Sequence, residues 1–305
     1  MRIGRERPTI LLETEDLVAA EKPAGLPTIR PNGGKGRSLY DFVTDHIRRK
    51  NPKGRAAVVH RIDRDSSGVV VFAKNAEAKK GLMGTWSEAI LSRRYVALAE
   101  GTPEGESGIL DSWLRQNAAG TVYETAPGAP GALRAVTRWR RLKSGGGYSL
   151  LELELETGRK HQIRAQLAAA GHPVAGDFRY GARTDPAGRL ALHAASIEFV
   201  WPPGGVPIHV ESPVPESFFR PLRARKKSLY YKASEAGNPG KPSRRIGSGT
   251  LGADKKGKRD KPPPKEDRFM KEKSKQAKEP KKKPQKTLKE KRKEKKEKAA
   301  NKAEE

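Results

Sequence analysis

The chain has 305 residues, a formal charge of +27 and no cysteine. That length suits one large domain or two small ones, and the missing thiols exclude disulfides, thiol catalysis and cysteine-ligated zinc. The cation excess is compatible with a polyanionic partner, for which RNA, DNA and acidic lipid are the candidates.

In chain order, the first residues, Met1-Arg2-Ile3-Gly4-Arg5-Glu6-Arg7, show no apolar secretory segment. Residues 10–13 and 17–21 read as short strands. Residues 38–50 read as a helix, with Ser38 as N-cap and Asp41 at N3 in a capping arrangement. Residues 69–73, Val-Val-Val-Phe-Ala, form the longest apolar run. It reads as a buried strand and is far too short to span a bilayer. The expectation is a soluble cytoplasmic monomer with no membrane partner. Residues 76–88 read as a helix and 94–100 as a strand. Residues 135–142 and 149–156 flank Gly145-Gly146-Gly147 and read as a hairpin. Residues 161–170 read as a helix stopped by Gly171. Strands outnumber helices and hairpins recur, which favours an α+β fold with a mixed, largely antiparallel central sheet.

Beyond residue 231 the composition changes. Residues 232–305 hold 27 Lys and Arg against 12 Asp and Glu, with Phe269 the only aromatic. Such a segment cannot bury enough apolar surface to offset its ordering entropy. Residues 1–231 are therefore expected to form the folded domain and 232–305 a disordered Lys-rich tail. Transient helix is expected over 287–303, where Glu290, Glu294 and Glu297 lie near lysines at helical spacing. The body alone keeps 36 basic against 24 acidic residues, so the positive charge is not only a property of the tail.

Two polar clusters can carry chemistry. His60-Arg61-Ile62-Asp63-Arg64-Asp65-Ser66-Ser67-Gly68 feeds directly into the apolar strand at 69. Catalytic groups favour loops on a rigid scaffold, although local composition alone favours an Asx or Ser turn whose carboxylates accept backbone N–H groups. Thr157-Gly158-Arg159-Lys160-His161-Gln162-Ile163-Arg164 joins a strand to a helix. Three basic residues at a helix entry oppose the dipole, so a phosphate or a carboxylate from elsewhere should compensate them; an ordinary surface turn is the alternative. The kinase loop H-R-D is not present, because Ile62 breaks the spacing, and there is no phosphate-binding glycine loop. The six histidines are scattered, with no metalloprotease pair, so no metal is expected.

Taken together, these segments resemble the RluA family of pseudouridine synthases. Glu21-Lys22-Pro23-Ala24-Gly25-Leu26 is similar to the family's N-K-P-a-G-l. Residues 60–68 resemble H-R-L-D-x-x-T-S-G, which places the catalytic aspartate at Asp63. Arg94-Tyr95-Val96-Ala97 resembles the segment carrying the active-site tyrosine, here Tyr95. Gly158 to Arg164 resembles G-R-T-H-Q-I-R, which places the basic partner at Arg164. His172-Pro173-Val174, Gly176-Asp177 and Tyr180-Gly181 resemble the next block, and Leu190-Ala191-Leu192-His193-Ala194 the closing L-x-L-H-A. The motifs run in the family's order over roughly residues 17–202. Glu21 replaces Asn, Ile62 replaces Leu, Ser66 replaces Thr and Lys160 replaces Thr. None of these removes a group that the chemistry requires. The first motif begins near residue 20, which leaves no room for the N-terminal RNA-binding domain of many relatives.

The resemblance implies isomerisation of uridine to pseudouridine in structured RNA, ribosomal RNA being favoured over transfer RNA, with no cofactor. It implies an Asp63 carboxylate acting near C1′ and C6, kept ionised by Arg164. Tyr95 is expected to stack on the uracil and to take the C5 proton. Arg61 or His60 is expected to fill the gap left by the everted base or to hold phosphate, and Arg159, Lys160 and His161 to contact RNA. The rival readings are a catalytically inactive RNA binder and a ribosome-associated factor acting through its tail.

Overall fold

A computed structural model of the protein describes residues 7–31 and 33–223. The expected tail, with its transient helix, lies outside the described residues. Eleven strands and four helices are present among the described residues. They are β1 (Thr9–Glu13), β2 (Leu17–Lys22), α1 (Leu39–Arg48), β3 (Ala57–Val58), β4 (Ser67–Ala73), α2 (Ala76–Gly84) and α3 (Trp86–Ala89). There follow β5 (Ile90–Glu100), β6 (Ser107–Gln116), β7 (Val122–Thr125), β8 (Leu133–Gly145), β9 (Tyr148–Leu155), α4 (Gln162–Ala169), β10 (Leu192–Val200) and β11 (Pro207–Glu211).

All the strands join one sheet of order β1-β2-β4-β10-β5-β9-β8-β6-β7, with β3 added to β4 and β11 to β10. Only β10 with β4 is parallel; the other pairings are antiparallel. The fold is thus the mixed, largely antiparallel sheet expected from the sequence.

Strand periodicity explains the layers. Successive residues of a strand point to opposite faces. Leu17, Ala19, Val69, Val71 and Ala73 pack with Ala78 and Leu82 of α2 on one face. Val18, Ala20, Val70 and Phe72 pack with Leu39, Val43 and Ile47 of α1 on the other. A strand covered on both faces reads as an unbroken apolar run, and β4 is buried at every position. Ser38 and Asp41 close the capping box that starts α1.

Residues 76–88 are not one helix. α2 stops at Gly84, and Thr85 leaves helical geometry at φ −116°, ψ 22° before the single turn of α3. Gly84 is a poor helix former, and the Thr85 hydroxyl donates back to the Gly81 carbonyl at 3.1 Å, which competes with continuing the ladder. The break sets Trp86 5.2 Å from the His60 ring. The hairpin between β8 and β9 turns on Gly146 and Gly147, at φ 62° and 86°. Two positive φ values in a two-residue turn match the strand twist.

The seam at β10 positions the site. His193 and Ala194 pair with Ser67 and Gly68 of β4, while Ala194 also pairs with Tyr95 of β5. Gly68 sits at φ +113°, and a Cβ there would lie 2.1 Å from the Ala194 carbonyl oxygen. Only glycine permits this approach. Among the described residues no helix is long and apolar enough to cross a membrane.

Candidate active site

The loop between β3 and β4 carries Asp63, and the first motif lies beneath it. Lys22, at the end of β2, is fully buried. Its ammonium donates to the carbonyls of Pro23 at 3.0 Å, Leu26 at 2.7 Å, Arg64 at 2.8 Å and Ser66 at 2.6 Å. The Gly25 N–H donates to the Arg64 carbonyl at 2.9 Å, and the Thr28 hydroxyl to that of Ile62 at 3.0 Å. The Asp63 loop is therefore pinned on both sides of the carboxylate. Burial pulls the Lys22 ammonium down to about 7. Lys22→Met would leave four inward carbonyls without that donor. Unmet buried groups cost about 1–3 kcal/mol each. Partial re-pairing with water leaves an expected loss of about 2–4 kcal/mol, or roughly 5–15 °C in Tm, read by thermal unfolding.

Arg164, on α4, reaches Asp63 with Nη1 at 3.0 Å. Its other edge binds Asp177 twice, Nε at 2.6 Å and Nη2 at 2.9 Å. The side chains of Arg164 and Asp177 are 8% and 2% exposed and that of Asp63 25%, so only Asp63 opens to a ligand. Burial opposes the charge of Arg164, but the two carboxylates outweigh it and hold the guanidinium above its usual pKa. The guanidinium also lies 4.9 Å from the Tyr180 ring centroid, a cation–π distance.

His161 precedes α4 in the left-handed region, at φ 50°. The Val122 N–H donates to the Tyr180 oxygen at 3.0 Å, so the phenol hydrogen is free to bond His161 Nδ1 at 2.8 Å. His161 Nε2 faces Asp63 Oδ1 at 3.8 Å. Burial lowers the His161 pKa; Asp63 opposes this, and Arg164 adds to it.

All eight residues singled out in the sequence, namely Asp63, Tyr95, Arg164, His60, Arg61, Arg159, Lys160 and His161, line one cleft of about 1000 Å³. Arg61, Arg159 and Lys160 are exposed at its rim. Tyr95 lies within it on β5, and burial drives its phenol up to about 12. Its phenol is therefore neutral near neutral pH.

His60 is less exposed than Arg61. Its Nε2 accepts the Val71 N–H at 2.9 Å, and burial, assisted by the nearby Arg93 cation, pulls the ring to about 3. It is an uncharged tie between the loop and β4 that still lines the cleft. His193 is likewise buried and neutral: it accepts the Ser67 hydroxyl at 2.8 Å and donates to the Ser212 carbonyl at 3.1 Å, with its pKa near 4 through burial. In the unfolded chain both rings titrate at the ordinary 6.5. Between that pH and about 4 the unfolded state binds more protons, so stability falls on acidification by about 1.4 kcal/mol per pH unit for each ring. Urea unfolding from pH 7 to 4 should show this loss, and His193→Gln should flatten it.

Sequence reasoning missed three contributors to the site. Asp177 was seen only as a motif letter, and Lys22 only as the middle of another. The amide of Gln162 was missed too: it accepts the Arg159 N–H at 2.9 Å and donates to the Val136 carbonyl at 3.0 Å, fixing the strand-to-helix turn.

The site is thus a carboxylate gripped by a doubly anchored guanidinium in a cleft with basic residues at its rim. The sequence profile described as RNA pseudouridylate synthase matches residues 16–169, and the chain belongs to this family of isomerases. It is similar to an uncharacterised RNA pseudouridine synthase of Bacillus subtilis, YhcT, at 35% identity over 208 residues, 68% of each chain. It is 34% identical over 226 residues to the ribosomal large subunit pseudouridine synthase D of Nitrosomonas europaea, covering 70% of this chain and 64% of that relative. It is 33% identical to synthase C of the same name in Vibrio cholerae over 214 residues, covering 67% of this chain and 65% of that relative. The chain thus spans just under two thirds of the length of these last two relatives. The human RNA pseudouridylate synthase domain containing 4 shares the fold, with a TM-score of 0.58 at 21% identity over 70% of this chain and 92% of that one.

Proposed function

We propose that the protein converts uridine to pseudouridine in ribosomal RNA, in the cytoplasm and without a cofactor, using Asp63 as its carboxylate. The observation that carries this is Asp63 held 3.0 Å from Arg164 within the cleft, while Asp177 anchors the guanidinium from behind. A cation within about 4–6 Å favours the ionised carboxylate. The reaction exchanges an N1–C1′ bond for a C5–C1′ bond, and the proton lost from C5 is matched by one gained at N1, so the product is an isomer and no redox partner is needed. The uridine leaves its stack, which costs a few kcal/mol and least in loops. Tyr95 stacks on it, worth roughly 1–3 kcal/mol per base, and Arg61, Arg159 and Lys160 hold neighbouring phosphates. Ribosomal RNA is favoured because relatives from two organisms carry large-subunit names.

The test is release of tritium from 5-tritiated uridine in ribosomal RNA and, separately, in transfer RNA, each from cells lacking the gene. Release from ribosomal RNA is expected. Release from transfer RNA alone would overturn the choice of substrate, and release from neither would overturn the activity. Deleting residues 232–305, which remove a charge excess of +15, is expected to weaken RNA binding and flatten its salt dependence, since each phosphate contact contributes about 0.7–0.9 to the slope. Filter binding across salt concentrations reads both.

A further inference from the structure

Arg93 stands out among the charged residues of the cleft. Its Nε is the only buried side-chain nitrogen or oxygen without a hydrogen-bond partner among the described residues. One Nη2 bond, to the Leu155 carbonyl at 3.2 Å, holds the guanidinium. Arg93 joins none of the ion pairs among the described residues. Room for it is made by Gly158, where a Cβ would lie 2.6 Å from Nη1. Buried polar groups are normally satisfied, and a guanidinium kept without an anion in a lined cavity points to a ligand that supplies one.

Its place in the cleft narrows the ligand. Arg93 and Tyr95 are two residues apart on β5 and so face the same side. Both line the cleft, as does Asp63. Arg61, Arg159 and Lys160 are exposed at the rim, where a phosphate backbone passes, whereas Arg93 is set back beside the tyrosine. The inward position belongs to the base.

Resting on the activity proposed above, we propose that Arg93 is an oxyanion donor for uracil: its guanidinium hydrogen-bonds a ring carbonyl oxygen of the everted uridine and takes up the negative charge that develops there. Every route available to Asp63 generates that charge. Breaking N1–C1′, by attack at C1′ or after loss of a ribose proton, leaves the bonding pair on the ring, spread over O2 and O4. Addition of the carboxylate to C6 instead moves the C5=C6 pair onto O4 as an enolate. The charge leaves the ring when C5 bonds to C1′, and the proton then lost from C5 is matched by one taken up at N1, so nothing is oxidised or reduced. A donor fixed in place before reaction is worth about 10²–10³ in rate.

The experiment uses the full chain and 5-tritiated ribosomal RNA from cells lacking the gene, comparing wild type, Asp63→Asn, Arg93→Gln and Arg93→Lys. Arg93→Gln is expected to lower the single-turnover rate about 10²–10³-fold, with the Kd changed less than about threefold and the salt slope intact. Arg93→Lys should recover part of that rate. The Tm of Arg93→Gln should equal or exceed that of wild type, because an unpaired buried charge is gone. An unchanged rate would overturn the proposal. So would weakened binding with a salt slope lower by about one, which would mark a phosphate ligand, or a lowered Tm with lost rate in both variants, which would mark a structural role. A silent wild type would overturn the underlying activity as well, which separates the two failures.

Discussion

Asp63→Asn is expected to lower tritium release from ribosomal RNA by on the order of 10⁴–10⁶-fold, the scale seen when the reacting group of an active site is removed, while leaving the fold intact. The second half of that statement follows from the charges. Arg164 is shared by two carboxylates, and after the change it keeps both bonds to Asp177, at 2.6 and 2.9 Å. The Asp63 side chain is a quarter exposed, so its amide replacement can still find water or the same Nη1. A small change in Tm beside a silent assay is therefore the expected pattern. Activity within tenfold of wild type would remove Asp63 from the chemistry.

Arg164→Ala reverses the pattern, because it strands charge. Asp177, 2% exposed at its side chain, loses its only ion-pair partner among the described residues. Leaving a buried charge unpaired costs about 3–5 kcal/mol, equivalent to roughly 6–20 °C in Tm for a domain of this size. The same change frees the Asp63 carboxylate, so activity is lost along with stability. Arg164→Lys keeps the charge but not the planar fork, and should fall between. Arg164→Ala with Asp177→Ala should recover part of the loss, since no orphaned carboxylate then remains. If the two single losses simply added, Asp177 would not be acting through Arg164.

The parts of the fold legible in the sequence were those with strong local cause. The apolar run of β4, the capping box of α1 and the glycine pair between β8 and β9 each name their own structure. β10 was not legible: Leu-His-Ala-Ala-Ser-Ile-Glu-Phe-Val has a histidine and a serine inside a strand, and His193 is acceptable there only because Ser67 and Ser212 satisfy both ring nitrogens. β6 and β7 also escaped notice, since they run past the main core and leave Ile109 and Tyr123 exposed, which blurs alternation. Within the site, motif order placed Asp63 and Arg164 where the structure joins them. Lys22 and His60 were harder, because their states depend on backbone groups brought from elsewhere. Nothing in the letters shows that one is an ammonium enclosed by carbonyls and the other a ring kept neutral by burial.

The β10 seam has a consequence for synthesis. A nascent chain emerging from the ribosome presents the Asp63 loop, then the strand bearing Tyr95, long before Leu192–Val200 exists to lie between β4 and β5. Until that strand threads in, the two halves of the cleft have no shared framework, and such late, distant pairings slow folding. A working pocket is therefore acquired only when the middle of the sheet is inserted.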